Sequence, residues 1–68
     1  MTAQLYRNED YVRLFDDPEN YATADFHLGY KNRGCRKTAD TALARFGIKR
    51  TTRWQKCEWG YFARVTRN

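Results

Sequence analysis

Basic residues dominate the second part of this 68-residue chain and are the side chains best suited to a specific chemical task. Residues 26–68 contain eleven lysines and arginines against two acids, a balance of +9, whereas residues 1–25 have a balance of −4. Seven of the eleven are arginines, whose planar guanidinium binds phosphate or carboxylate through two hydrogen bonds. The candidate binding residues are Lys31, Arg33, Arg36, Lys37, Lys49, Arg50, Arg53, Lys56 and Arg64.

Aromatic residues lie between these cations. Cations contact the backbone of a nucleic acid while flat rings stack on its bases, so the combination is typical of a nucleic-acid surface. Trp59 and Phe62 are the candidate stacking or anchoring residues, since Trp54 and Tyr61 are assigned to the core. Two other interpretations stay open: a surface that binds an acidic protein, and a charged surface that only keeps the chain in solution.

The sequence has no catalytic or metal-binding pattern. His27, Asp25, Cys35 and Cys57 carry suitable donor atoms for zinc, but no Cys-x-x-Cys or comparable pair brings two of them together locally. The four glycines are isolated and form no phosphate-binding loop. We therefore expect a non-enzymatic binding protein, with no catalytic residue, no metal and no cofactor.

The residue spacing predicts the elements that position the cations. Asn8, followed by two acids, is a typical helix start, and the apolar residues after it predict a short helix over residues 9–16 that ends at Asp17–Pro18. Strict alternation predicts a half-buried strand over residues 21–31.

A longer helix is predicted over residues 36–46, because its apolar residues recur on one stripe at helical spacing. Gly47 would take the left-handed conformation beyond its end. The β-favouring residues that follow predict a hairpin with strands near 48–56 and 59–66.

Together these elements predict an α+β fold in a single domain, residues 1–68, with a small three-stranded sheet of strand–helix–hairpin order. The main helix would cover one face, and the short N-terminal helix would pack at the edge. Residues 1–20 would form an acidic helical segment and residues 21–68 a basic β-α-β-β unit. The predicted core comprises Ala24, Phe26, Leu28, Leu43, Phe46, Ile48, Trp54, Tyr61 and Val65.

Size and charge together favour binding over catalysis. A chain of this length buries only about 60% of the surface of its unfolded form. It has no apolar run of the roughly 20 residues that span a membrane, so we expect a cytoplasmic protein.

The first functional hypothesis is a non-catalytic DNA- or RNA-binding module that uses its arginine-rich surface. The alternative is a small inhibitor or adaptor, of the type that phages and mobile elements encode, which docks on an acidic surface of a host protein. The open edges of a small sheet would also allow a homodimer.

Overall fold

Six antiparallel strands and one α-helix make up the computed structural model, which describes residues 1–16 and 21–67. The strands form one curled sheet, a half-barrel, in the order β3-β2-β1-β6-β4, with β5 on the same edge of β6 as β4. The helix, α1, spans Arg36–Ala44 and follows a 3-10 turn at Tyr30–Asn32. The strands are β1 (Thr2–Tyr6), β2 (Tyr11–Asp16), β3 (Tyr21–His27), β4 (Ile48–Arg50), β5 (Gln55–Cys57) and β6 (Gly60–Arg67).

The inner face of the sheet, which α1 covers, holds the core. Alternate residues of the central strands are fully buried there: Ala3 and Leu5 on β1, and Val12 and Leu14 on β2. This alternation follows from the strand geometry, in which successive side chains point to opposite faces. The other buried members of the cluster are Leu28, Ala39, Ala42, Leu43, Ile48 and Val65, with Ala24, Phe26, Trp54 and Tyr61 packed against them.

Helix α1 lies where the apolar stripe predicts it, and ends two residues earlier. Ala39, Ala42 and Leu43, at i, i+3 and i+4, form its buried face. Gly47 has φ 72°, so the predicted left-handed residue beyond the helix is confirmed. Phe46, however, is 59% exposed and lies against Phe26, whose ring centroid is 4.7 Å away, so its assignment to the core was wrong.

The predicted three-stranded sheet with an N-terminal helix is wrong, because residues 11–16 are the strand β2. Aromatic residues on its outer face, together with Val12 and Leu14 on its inner face, hide the alternation and imitate a helical stripe. Asn8 lies in the turn between β1 and β2, where the Glu9 amide donates to the Tyr6 carbonyl oxygen (3.2 Å). The predicted helix end at Asp17–Pro18 lies outside the described residues.

The strand predicted over residues 21–31 is also shorter. It ends at His27, and the Leu28 amide then donates to the Asp10 carbonyl oxygen (2.7 Å), which closes this end of β3 onto the β1–β2 turn. Tyr30 lies in the 3-10 turn and is 67% exposed.

The strand predicted near 48–56 is divided into β4 and β5 by a bulge. Arg50 pairs with Val65 and Gln55 with Phe62, so the four residues 51–54 stand opposite only two residues of β6. The extra length must leave the plane of the sheet. Two hydrogen bonds hold its base: the Thr51 amide donates to the Arg64 carbonyl oxygen (2.8 Å), and the Arg64 amide to Thr52 Oγ1 (3.0 Å). We call residues 51–54 the edge bulge.

Gly60 is the glycine on which the sheet geometry depends most directly. It has φ 152°, and a Cβ there would overlap the Leu5 carbonyl oxygen and stand 2.9 Å from the Arg7 amide nitrogen. We predict that Gly60→Ala lowers the free energy of unfolding by more than about 3 kcal/mol, since backbone atoms cannot give way.

Gly47→Ala is the matched control, because a Cβ at Gly47 meets no atom within 4 Å and only the left-handed backbone is strained. We expect it to cost about 1 kcal/mol. Urea denaturation followed by circular dichroism measures both variants. Equal losses would contradict the close packing of β6 against β1.

Candidate nucleic-acid interface

A cluster of positive charge lies between the first turn of α1 and the edge bulge. Arg36 and Lys37 begin the helix, and Arg53 is carried by the bulge. Between them is an open cavity of about 450 Å³. We call this the basic groove; it is lined by Arg36, Lys37, Asp40, Arg50, Arg53 and Trp54.

Asp40 holds the two sides of the basic groove together. Its carboxylate accepts two hydrogen bonds from the Arg50 guanidinium, Nε to Oδ1 at 2.6 Å and a terminal nitrogen to Oδ2 at 2.9 Å. Oδ1 also accepts the indole N–H of Trp54 at 3.0 Å. The helix is thereby tied both to β4 and to the edge bulge.

Arg50 is consequently a structural residue of the groove. Besides Asp40, its guanidinium donates to the Thr52 carbonyl oxygen (3.0 Å) and lies 5.5 Å from the centre of the Trp54 ring. The hydrogen bonds to the Asp40 carboxylate raise the pKa of Arg50 above its ordinary value. Arg50 was predicted to bind a partner, but its N–H groups are largely used in hydrogen bonds within the protein.

The other cations of the groove have no such partner. Asp40 is the single acid among its lining residues, and its charge is matched by Arg50. Arg36, Lys37 and Arg53 form no ion pair with any acid in residues 1–16 or 21–67. The lining residues thus carry a net charge of +3, which attracts an anion.

Arg36 is held in place by an aromatic ring. Its guanidinium lies 4.7 Å from the centre of the Tyr61 ring, a distance at which the cation and the ring face attract each other. The in-plane N–H donors of a guanidinium stacked in this way still point outward and can bind phosphate. Lys56 is the cross-strand neighbour of Tyr61, so a further cation borders the same ring.

Trp59 and Phe62, the predicted stacking residues, are on the opposite, outer side of the sheet. Phe62 pairs with Gln4 and Gln55 and is half-buried among them. Trp59 lies in the two-residue turn between β5 and β6, is 40% exposed, and packs on Tyr6 with 5.0 Å between ring centres. The predicted cations and the predicted stacking rings are therefore not one continuous patch.

A second cavity, of about 340 Å³, surrounds Trp59 on the outer face. Tyr6 and Tyr11 form its walls with ring centres 5.7 Å apart. We call this the aromatic pocket; its lining residues are Tyr6, Arg7, Asn8, Glu9, Tyr11, Arg13, Glu58 and Trp59. Its two arginines and two glutamates balance, so the pocket is neutral while the groove is positive.

Arg13 fixes the wall of the aromatic pocket. Its guanidinium lies 5.0 Å from the Tyr11 ring centre and 6.0 Å from that of Tyr6, and donates twice to Asp25, at 2.7 and 3.0 Å. These hydrogen bonds lower the pKa of Asp25 and raise that of Arg13, while burial raises the pKa of Tyr6. The faces of the Tyr6 and Tyr11 rings that are turned toward Arg13 are therefore already occupied by its guanidinium.

The remaining predicted binding residues are Lys31, Arg33, Lys49 and Arg64, which lie outside these two sites. Lys31 and Arg33 lie in the segment before α1, which approaches the β1–β2 turn at Gly34, where a Cβ would stand 3.0 Å from the Arg7 carbonyl oxygen. Lys49 pairs with Thr66 near the far end of β6, and Arg64 pairs with Thr2 on the outer face. Neither of these two residues lines the basic groove or the aromatic pocket.

Tyr6, Tyr11, Arg7 and Arg13 are the site residues that the sequence analysis missed. Two of the four depend on long-range strand pairing: Tyr6 pairs with Gly60 of β6, and Arg13 pairs with Gln4 of β1. Periodicity in residues 11–15 does not reveal them, because β2 carries apolar or aromatic side chains on both faces.

No protein-family model, curated protein or solved structure matches this chain. The groove and the pocket are therefore the features of this protein that indicate a function.

The Asp40 network predicts a measurable loss of stability. Asp40→Asn keeps the size of the side chain and removes its charge, so the paired hydrogen bonds from Arg50 weaken. Asp40 is 39% exposed, and solvent screens part of the interaction. We expect a loss of about 1 kcal/mol in urea denaturation.

Glu9→Gln makes the same change of charge at a carboxylate with no cationic partner among the described residues. It should change the free energy of unfolding by less than about 0.5 kcal/mol. Similar values for the two variants would show that Asp40 does not tie the helix to the bulge.

Cys35, which precedes α1, gives a pH-dependent prediction. Both cysteines are free thiols, and the Thr38 hydroxyl donates to Cys35 Sγ at 3.2 Å, which lowers the pKa of this thiol below its ordinary value. In a Cys57→Ser background, the rate of alkylation by iodoacetamide should reach half its maximum at a lower pH than for an unperturbed cysteine, which titrates at about 8.5, because the thiolate is the nucleophile.

Thr38→Ala in the same background removes the hydroxyl donor. The midpoint of the pH profile should then move upward, toward the ordinary value. An unchanged midpoint would mean that the hydroxyl does not stabilise the thiolate.

Proposed function

We propose that the protein is a non-catalytic nucleic-acid-binding module whose basic groove contacts the phosphate backbone. The observation that carries this proposal is the convergence of Arg36, Lys37 and Arg53 on one groove whose carboxylate is already bound by Arg50. The surplus positive charge is local, and a phosphate supplies the acceptors that these donors lack.

The distribution of charge around the groove supports a polyanion as the partner. Lys56 borders it across Tyr61, and Lys31 and Arg33 lie in the segment leading into α1. A small anion would need only the groove itself. A chain of phosphates can contact the groove and these outer cations together, and each contact releases a counterion.

Among the described residues, no helix is both long and apolar enough to cross a membrane.

The proposal predicts steep salt dependence. Wild-type protein should retain a fluorescently labelled single-stranded oligonucleotide at about 50 mM salt and release it as salt increases. Arg36→Gln, Lys37→Gln and Arg53→Gln, combined, remove three phosphate contacts. The slope of log K against log salt, measured by fluorescence anisotropy, should fall by roughly 2 for a single strand.

The matched control neutralises Arg45, Lys49 and Arg67, which lie near the far ends of α1 and β6. This triple glutamine variant has the same net charge as the groove variant and should keep most of the salt slope. Equal slopes in the two variants would show that binding depends on the net charge of the protein and not on the groove. No retention of DNA or RNA by the wild type would contradict the function itself.

An acidic protein partner is the second candidate, favoured by the exposed Phe46. Its ring lies on Phe26 beside Arg45, in a cavity of about 270 Å³, and an aromatic residue next to an arginine is a common protein-interface anchor. A stoichiometric protein partner that survives nuclease treatment and is lost in Phe46→Ser would favour this candidate over nucleic acid.

A further inference from the structure

We infer that the aromatic pocket binds an unpaired nucleobase, so that the nucleic acid recognised by this protein is single-stranded. The inference deepens the proposed function and rests on it. It assigns the phosphates to the basic groove and a base to the pocket around Trp59.

The chemistry of the pocket suits a flat, uncharged ring. Its lining charges balance, so it offers no net attraction to phosphate, and the carboxylates of Glu9 and Glu58 repel one. A cationic ligand is disfavoured by Arg7 and Arg13. Arg13 already lies over the rings of Tyr6 and Tyr11.

The exposed part of Trp59 is the stacking surface that is left. One side of the pocket wall is fixed by the contact of Trp59 with Tyr6, and 40% of the tryptophan is open to solvent. A ring held in place by another ring loses little conformational freedom when a ligand stacks on it. Stacking of a base on an aromatic side chain is also tolerant of sequence, because every base has a flat face.

Groove and pocket lie at the two ends of β5: the edge bulge precedes this strand, and the turn that holds Trp59 follows it. Tyr61, whose ring lies against the Arg36 guanidinium, is on the inner face of β6. Trp59 is in the turn immediately before the same strand. The Arg7 amide donates to the Trp59 carbonyl oxygen (2.9 Å), which fixes this turn against the β1–β2 turn. β5 has three residues and is therefore about 10 Å long. A nucleic-acid strand that follows this edge of the sheet from the groove reaches the pocket on the other face.

A duplex does not fit this arrangement. Its bases are stacked on each other and paired, so none is free to enter the pocket while the backbone lies in the groove. A single strand can turn one base toward Trp59 at no cost in base pairing.

The test compares two polyanions of equal length and charge by fluorescence anisotropy: an oligothymidylate of about 12 nucleotides and the same sugar-phosphate chain without bases. Wild-type protein should bind the oligothymidylate about tenfold more tightly. Trp59→Ala should reduce this preference to less than about twofold while the salt slope stays unchanged, and Trp59→Phe should retain most of it.

Tyr30→Ala, at an exposed aromatic residue outside the pocket, is the control and should keep the tenfold preference. Circular dichroism establishes that each variant is folded, and Trp59→Phe keeps the question answerable if Trp59→Ala unfolds. Equal binding of the two polyanions by the wild type would contradict base binding in the pocket, while phosphate binding in the groove would remain supported. Failure of both to bind at about 50 mM salt would overturn the proposed function, and the inference with it.

Discussion

The carboxylate of Asp40 is the group on which the arrangement of this surface depends. It binds the Arg50 guanidinium and the Trp54 indole from the middle of α1, and so joins the helix, β4 and the edge bulge. The same contact decides the electrostatics. Because one arginine satisfies this acid, the charges of the three neighbouring cations are not neutralised, and the groove keeps a surplus of positive charge.

The helix was predictable from the sequence because its apolar residues lie on a single stripe and a glycine follows them. The first two strands were not. β2 has apolar or aromatic side chains on both faces, since Tyr11 and Phe15 pack outside while Val12 and Leu14 pack inside. Periodicity identifies an element only when one of its faces is polar. An amphipathic pattern over the five residues of β1 is also too short to decide between strand and loop.

The sequence identified which residues are basic, but it did not predict which of them lie together in the folded protein. Lysine and arginine counts identified the basic residues, but the register of β6 with β4 and β5 determines which of them meet. Two surplus residues opposite Ala63 and Arg64 push Arg53 and Trp54 out of the sheet toward the helix. Arg50, by contrast, remains on β4 and is bound by Asp40. A bulge depends on pairing between distant segments, which the local sequence does not encode.

The separation of charge from aromatic surface follows from the pleat of one strand. In β6, Tyr61 points inward beneath Arg36, and Phe62 points outward. Sequence neighbours thus serve opposite faces, and a surface that appears mixed along the chain is divided in space. Acidic residues of the N-terminal part contribute to this separation of charge. Glu9 neutralises the outer pocket, and Asp25 binds Arg13, so both acids keep the positive potential on the helix side of the sheet. The proposed single-stranded ligand has a charged backbone and neutral rings, and it would meet this division with its phosphates on one face and a base on the other.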